Sequence, residues 1–403
     1  MTVVHPIGRA WLSTGGTGAR NYDEFADDAE ITDIVAANPD SALAIEMPHR
    51  APDSLGKTFT ESLPDAVDRL RRQRDEGSYA AAEDVLVLYR ISVGPDPEPG
   101  QPDTAAYGVF AMVDTDQIST SADEPGLVIR NEDVFIEKVR ERVELAEATQ
   151  HLLSPVLLLQ TGSRADELHT ALRSAVESAG APAVTDTDHV GRTHALWPVR
   201  SAELAELAGS GELVVADGNH RSLAAQTGGL PRFLAVITTP ASVAIQPYHR
   251  LISHSPVPLP DLLDRLRAGG ATITETAPGI PATGTIVLYG ASTGYAVTLP
   301  PVDGATIVDG MDHARVERIV LGDALGLEPG DKQITYVGGD YPPEWLVSEV
   351  DSGRADLAVL IAPVTVDAFV AVNLARQKMP RKSTWFTPKA RGGLVLADLS
   401  AEG

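Results

Sequence analysis

Apolar positions recur along this chain at two periods, and the change of period marks out its elements. Leu63, Ala66, Val67 and Leu70 fall at helical spacing, which predicts an amphipathic helix over 62–76. The runs 85-VLVLYRISV-93 and 107-YGVFAMV-113 predict two strands. Between them, 94-GPDPEPGQPD-103 is dense in proline, glycine and aspartate, as an exposed loop requires. Ahead of these, residues 1–50 hold the glycine loop 13-STGGTGAR-20, a helix-like stretch and a short strand around Ala42-Leu43-Ala44-Ile45. A long charged helix is expected over 134–151, with the polar run 130-RNED-133 placed to cap it.

Strand 155-PVLLLQ-160 then leads to a helix over 164–178, and strand 193-THALWPV-199 to a short helix from Ser201. Strands 212-ELVVA-216, 233-FLAVITT-239 and 243-VAIQPYHRLI-252 follow, and the proline-bearing stretch 254-HSPVPLP-260 marks a soft boundary. Beyond it the pattern predicts a helix over 261–268, strands at 285–290 and 294–300, and a helix over 314–325. Strand 334–338, helix 343–351, strand 357–363 and helix 366–376 come next, before a basic segment, 376-RQKMPRKSTWFTPKARGG-393. Strands and helices alternate irregularly. The expected class is therefore α+β, with mixed sheets and flanking helices, rather than a doubly wound parallel sheet. The expected division is a core over 1–253, a second α/β region over 261–375 and a basic tail over 376–403 packing back toward the site.

Composition narrows the function classes. The 403 residues include no cysteine, so disulfides and thiolate chemistry are excluded. Lysine and arginine total 32 against 56 acidic residues, a net charge of −24. Such a surface repels nucleic-acid phosphates and anionic lipid, so neither is an expected partner, although a small anion can still bind where a few cations converge. The start MTVVHPIGRAWLS lacks the basic-then-apolar pattern of a secretory signal, and no apolar run approaches the roughly 20 residues that span a bilayer. The expected location is the cytoplasm. There is no H-E-x-x-H pattern for zinc and no G-x-S-x-G elbow.

The segment 212-ELVVADGNHRSLAAQ-226 carries the most chemistry. An apolar strand ends in Asp217 and Gly218, and a helix starts at once with Asn219, His220, Arg221 and Ser222. The first turn of a helix presents N–H groups and the positive end of the dipole, which favours an anion. His220 and Arg221 add directed donors there, and arginine grips phosphate oxygens in a fork. Asp217 can cap the helix, orient one of those side chains, hold a metal ion or accept a proton. Gly218 permits the tight turn.

At these residues the chain resembles the domain-of-unknown-function family 1015, whose central motif reads approximately I-A-D-G-H-H-R. The likeness extends through 38-NPDSALAIEMP-48, the stretch from Asn131-Glu132 through Arg142 to Ala148-Thr149, Ser154-Pro155, Pro247-Tyr248-His249-Arg250 and 379-MPRKSTWFTPKARGGLV-395. Asn219 and Asn131 stand where the family has histidines, and 21-NYDEF-25 replaces its P-P-Y-D-V. That family is similar to ParB/sulfiredoxin-like proteins, in which a comparable glycine-histidine-arginine turn holds nucleotide phosphates, and some members are free-serine kinases. The resemblance implies a ParB/sulfiredoxin-like nucleotide-binding core and an ATP-dependent kinase acting on the hydroxyl of serine or a related small hydroxylated metabolite. ATP or ADP and Mg²⁺ are the cofactors it implies. A nucleotide-binding regulator without turnover, or another nucleotide-dependent transferase, is the alternative.

Several further residues are candidates. Glu132 and Glu46, with Asp217, are carboxylates for proton or metal handling; Asp23 and Glu24 are weaker ones. Arg142, His249, Arg250, Lys382, Ser383 and Thr384 are candidates for binding substrate, the last three within a segment that has five cations between Arg376 and Lys389. The glycine loop lacks the G-K-[ST] ending of a phosphate cradle and reads as an ordinary loop.

Overall fold

Pro247 interrupts the run expected to form one strand over 243–252. Proline has no N–H for a sheet ladder, and the run splits into Ala244–Gln246 and His249–Ile252, which join different sheets. The structure, a computed structural model, describes residues 2–22, 24–25, 28–94, 104–119, 126–130, 134, 136–301 and 306–402. It divides into one unit formed by 1–243 with 388–403 and a second formed by 244–387. The boundary expected near 254–260 and the single tail over 376–403 are thus replaced. Residues 254–260 lie inside the second unit, and the C-terminal stretch is shared between both.

The first unit is built on a sheet of twelve described strands. Its main path runs Val128–Ile129, Leu213–Asp217, Val156–Gln160, Arg232–Thr238, Ala106–Asp114, Tyr79–Val93, Ile7–Ser13, Val395–Asp398, His151–Leu152. Most pairings are antiparallel. Leu213–Asp217 with Val128–Ile129, and Arg232–Thr238 with Val156–Gln160, are parallel. The sheet is therefore mixed, as the irregular alternation of elements requires. Leu86, Val109, Leu158, Val215, Phe233 and Ile237 belong to its main core, and the helix Ala165–Ser178 adds Leu168, Leu172 and Val176. Helix Leu63–Asp75 follows the predicted periodicity and buries Ala66 and Leu70. Ile136–Thr149 is the expected charged helix, with Val139, Arg142 and Leu145 on its buried side. It packs against both Leu63–Asp75 and Asn219–Thr227.

The second unit holds a six-stranded antiparallel sheet in the order Thr272–Thr276, Thr293–Thr298, Thr285–Gly290, Leu357–Ile361, His249–Ile252, Ile334–Val337. Alternation along its strands is strict. Ile286, Leu288, Val359 and Ile361 pack with the helices Leu259–Ala268 and Val316–Leu325, whereas Val287, Tyr289, Ala358 and Leu360 pack with Pro343–Asp351. A two-stranded sheet pairs Ala244–Gln246 with Trp385–Thr387.

Other expectations change in detail. Residues 42–45 do not form a strand: Leu43–Glu46 is a short helix, all four residues buried, so burial there follows no period of two. Leucine, alanine and glutamate are also strong helix formers. The helix expected over 314–325 starts as an α-helix, Asp312–Arg315, and widens to a π-helix over Val316–Leu325. Val395–Asp398, read as part of the tail, is a buried strand between Ile7–Ser13 and His151–Leu152. The loop residues 95–103 and the capping run 131–133 lie outside the described residues. Among the described residues no helix is long and apolar enough to cross a membrane.

Candidate functional site

Four buried apolar residues carry the Leu213–Asp217 strand through the sheet, and Asp217 follows them at its end. Its pairing with Val156–Gln160 shifts register between Val215 and Asp217. The extra residue, Ala216, sets Asp217 opposite Leu157; bulges commonly re-aim a side chain in this way. Gly218 then takes φ +96°, where an added Cβ would lie 3.1 Å from Arg221 Nε and 3.2 Å from Val156 Cα. Only glycine meets both demands. The helix Asn219–Thr227 begins immediately, with Ser222 N–H donating to Gly218 O at 2.9 Å.

Asp217 is the hub of this turn. Its Oδ2 receives Arg221 Nη2 at 2.5 Å, and its Oδ1 receives Lys389 Nζ at 3.2 Å. Lys389 also lies 3.8 Å from Glu24 Oε1, which in turn accepts from the Asn21 side-chain amide at 2.8 Å. Arg221 Nη1 donates to Asn21 Oδ1 at 3.1 Å and to the Pro155 carbonyl. Two cations and two carboxylates from three separate segments therefore meet at one strand end. Arg221 departs from expectation. Its guanidinium is turned inward and anchors Asp217 to the sheet instead of gripping an anion outside. Ser222, also expected at the phosphate, is fully buried and donates to Asn219 O at 3.0 Å. Asn219 is buried and His220 half-buried at the start of the same helix.

Beside this turn lies a cavity of about 240 Å³ whose wall includes Glu46, Arg142, Ser154 and Arg221. The structure thus brings together two candidates nearly a hundred residues apart, Glu46 and Arg142. Glu46 ends the short helix Leu43–Glu46 and is buried; Arg142 is buried on Ile136–Thr149, with its guanidinium 4.2 Å from the Tyr22 ring centroid. A Cβ at Gly392 would overlap Ser154 Oγ and come within 3.4 Å of Glu46 Oε2, so a backbone of minimal bulk is packed against this end of the cavity.

His249, Arg250, Lys382, Ser383 and Thr384 lie in the second unit. Arg250 is fully buried, and its donors serve Glu317 at 2.9 Å and the carbonyls of Tyr248, His249, Lys382 and Arg381. It is a structural cation that ties together the strand, the π-helix and the 381–382 segment. His249 accepts the Ile361 N–H at Nδ1 (3.1 Å), and burial beside Arg250 pushes its pKa down to about 4. Neither side chain is exposed for a solvent-side ligand. Lys382 Nζ lies 5.7 Å from the Tyr248 ring centroid, Ser383 is buried and Thr384 half-buried. Glu132, Asn131 and Asp23 lie outside the described residues.

Sequence reasoning missed Lys389 and Asn21 as members of the cluster and underrated Glu24. The signal for Lys389 was present in the P-K of the C-terminal motif, but only the fold shows that it reaches Asp217. The glycine loop is tied down by direct contacts: Thr17 Oγ1 donates to Gly393 O and accepts from Ser13 Oγ, each at 2.7 Å. Among the described residues, Glu24 and Asp217 are carboxylates that meet at the turn. Lys389 stands against both, so the two carboxylates do not by themselves make a metal site. Among the described residues no group of three or more histidine, aspartate or glutamate side chains is placed to hold one.

No curated protein matches the chain. Among solved structures it is similar to a free serine kinase in complex with AMP, at 13% identity and TM-score 0.39, over 77% of this chain and 99% of that one. A conserved hypothetical protein from Pyrococcus furiosus gives 13% identity and TM-score 0.37, over 74% and 96%. SbnI from Staphylococcus aureus, with a C-terminal truncation, gives 14% and 0.40, over 72% and 88%. The family described as protein of unknown function (DUF1015) matches residues 17–314, and the chain belongs to it.

Proposed function

We propose that the chain is a phosphotransferase that uses Mg²⁺–ATP to phosphorylate the hydroxyl of serine or a related small hydroxylated metabolite, on a ParB/sulfiredoxin-like core. The observation that carries this reading is the meeting of Asp217, Lys389 and Arg221 at the start of the Asn219–Thr227 helix. Phosphates rest at the positive end of that helix, with His220 and Lys389 as their side-chain partners. Arg221 positions Asp217 from behind. Asp217 accepts a hydrogen bond from the acceptor hydroxyl and takes its proton as the oxygen bonds to the γ-phosphorus. The bond from that phosphorus to the β-bridging oxygen breaks, and ADP leaves. Membership of the family, whose motif reappears here in order, supports the assignment of nucleotide as the anion.

The test is direct. Purified protein with Mg²⁺–ATP is offered serine, threonine and homoserine, and ADP and phosphorylated product are measured. Product with one acceptor supports the reading, and no ADP above the acceptor-free control overturns it. A second reading, a nucleotide-binding regulator without turnover, is favoured by the inward use of Arg221 and by Asn219 in place of the family histidine. Calorimetric binding of ADP without any product selects it.

A further inference from the structure

We infer that Asn21 is a positioning residue for the proposed nucleotide site: its side-chain amide, set between two carboxylates and a guanidinium, fixes Glu24 and Arg221 and so decides where Lys389 stands beside Asp217. The inference rests on the phosphate turn of the kinase reading, but not on phosphoryl transfer itself. Asn21 is 1% exposed. Its backbone N–H and its Nδ2 both donate to Glu24 Oε1, at 3.1 Å and 2.8 Å, and its carbonyl accepts the Glu24 N–H at 3.1 Å. Residues 21 and 24 thus close a reciprocal turn. The same Nδ2 lies 3.4 Å from both Asp217 Oδ2 and Ala390 O, and Oδ1 accepts from Arg221 Nη1 at 3.1 Å.

An amide is the group these neighbours require. It is uncharged, with donors on its nitrogen and an acceptor on its oxygen. The charges around it fix which way it faces: turned over, the NH2 would meet the Arg221 guanidinium and the oxygen would meet two carboxylates. Aspartate would satisfy Arg221 but would bring a third carboxylate within 2.8 Å of Glu24 Oε1. Serine is too short to reach Glu24 and Arg221 together. Among the described members of the cluster, Arg221 and Lys389 balance Glu24 and Asp217. Two N–H groups from Asn21 share the charge on Glu24 Oε1, while Lys389 Nζ stays 3.8 Å from that oxygen and 3.2 Å from Asp217 Oδ1. Without that amide, Glu24 draws Lys389 toward itself and away from the start of the Asn219–Thr227 helix, where the phosphates would rest.

Calorimetric titration of ADP into the full chain tests this. N21D binds about tenfold more weakly than the wild type at about pH 8, the effect of one further negative charge beside the phosphates. Two carboxylates at this spacing share a proton, so the deficit shrinks as pH falls to about 5. Taking the ratio to wild type cancels the protonation of ADP, and a merely structural loss shows no such recovery. N21D/E24Q, which exchanges amide and carboxylate, restores binding to within about threefold. N21S adds no charge and weakens binding about three- to tenfold by losing the amide contacts; it is the second variant should N21D not fold. Wild-type affinity in folded N21D or N21S overturns the inference, and so does a deficit in N21D that neither lower pH nor E24Q relieves. Failure of both variants to fold makes Asn21 a residue of the fold alone and overturns it too. Turnover is not read, so a kinase reading that fails for want of product leaves the inference standing. Absence of ADP binding by the wild type at millimolar concentration overturns the phosphate turn and the inference together.

Discussion

Arg221 Nη2 lies 2.5 Å from Asp217 Oδ2 across one helical turn, with the two side chains only 8% and 15% exposed. The pair fastens the end of the Leu213–Asp217 strand to the helix that follows it, and through Pro155 O to the neighbouring strand. Removing one member leaves a largely buried charge without its partner. Asp217→Ala should therefore lower unfolding stability by about 3 kcal/mol, and Asp217→Asn, which keeps an acceptor for Arg221, by less. Urea unfolding checks this. An unchanged midpoint for Asp217→Ala would show that the turn does not depend on the pair.

Lys389 has a different position, bridging Asp217 and Glu24 with its side chain 14% exposed. In the proposed kinase reading this cation also meets phosphate oxygens. Lys389→Ala should weaken ADP binding about tenfold, the loss of one charge-assisted hydrogen bond. Titration of ADP into wild type and variant decides it, and equal affinities would remove Lys389 from the proposed phosphate site.

Gly218 is constrained twice, by φ +96° and by the closeness of Arg221 and Val156. Gly218→Ala should cost about 1–3 kcal/mol, since a left-handed backbone is strained for alanine and the Arg221 guanidinium must shift to admit the Cβ. Thermal unfolding measures the loss. A variant as stable as the wild type would mean that the turn has another accessible conformation.

How much of this was legible follows from range. Helix Leu63–Asp75 and strand Leu213–Asp217 were readable because local periodicity alone determines them. Leu43–Glu46 was not, because a short apolar run fits a buried strand or a buried helix equally well. Asp217 stood out by its place between strand and helix, but the direction of Arg221 depends on Asn21 and Pro155, far off in sequence. Spacing placed Arg250 on a strand end and suggested a ligand contact. Four carbonyls and Glu317 consume its donors instead, and no local pattern announces them. The convergence of Glu46 with Arg142 was equally invisible, since it depends on how two helices flank one cavity.

His249 makes the stability of the second unit sensitive to acid. Its Nδ1 accepts the Ile361 N–H, and burial, with Arg250 adjacent, holds its pKa down at about 4, against roughly 6.5 in an unfolded chain. Above pH 6.5 the imidazole is neutral in both states, and it adds no pH dependence. As pH falls from about 6.5 to 4, the unfolded chain takes up a proton that the folded chain refuses, so stability declines across that window and levels off below it. The accumulated loss from this one group is about 3 kcal/mol. His313, fully buried and also held well below its usual range by burial, acts with the same sign. His249→Asn retains an acceptor near Nδ1 and cannot be protonated, so its stability should fall less steeply than that of the wild type over the same window. Parallel profiles of unfolding midpoint against pH for the two proteins would show that His249 is not the group responsible.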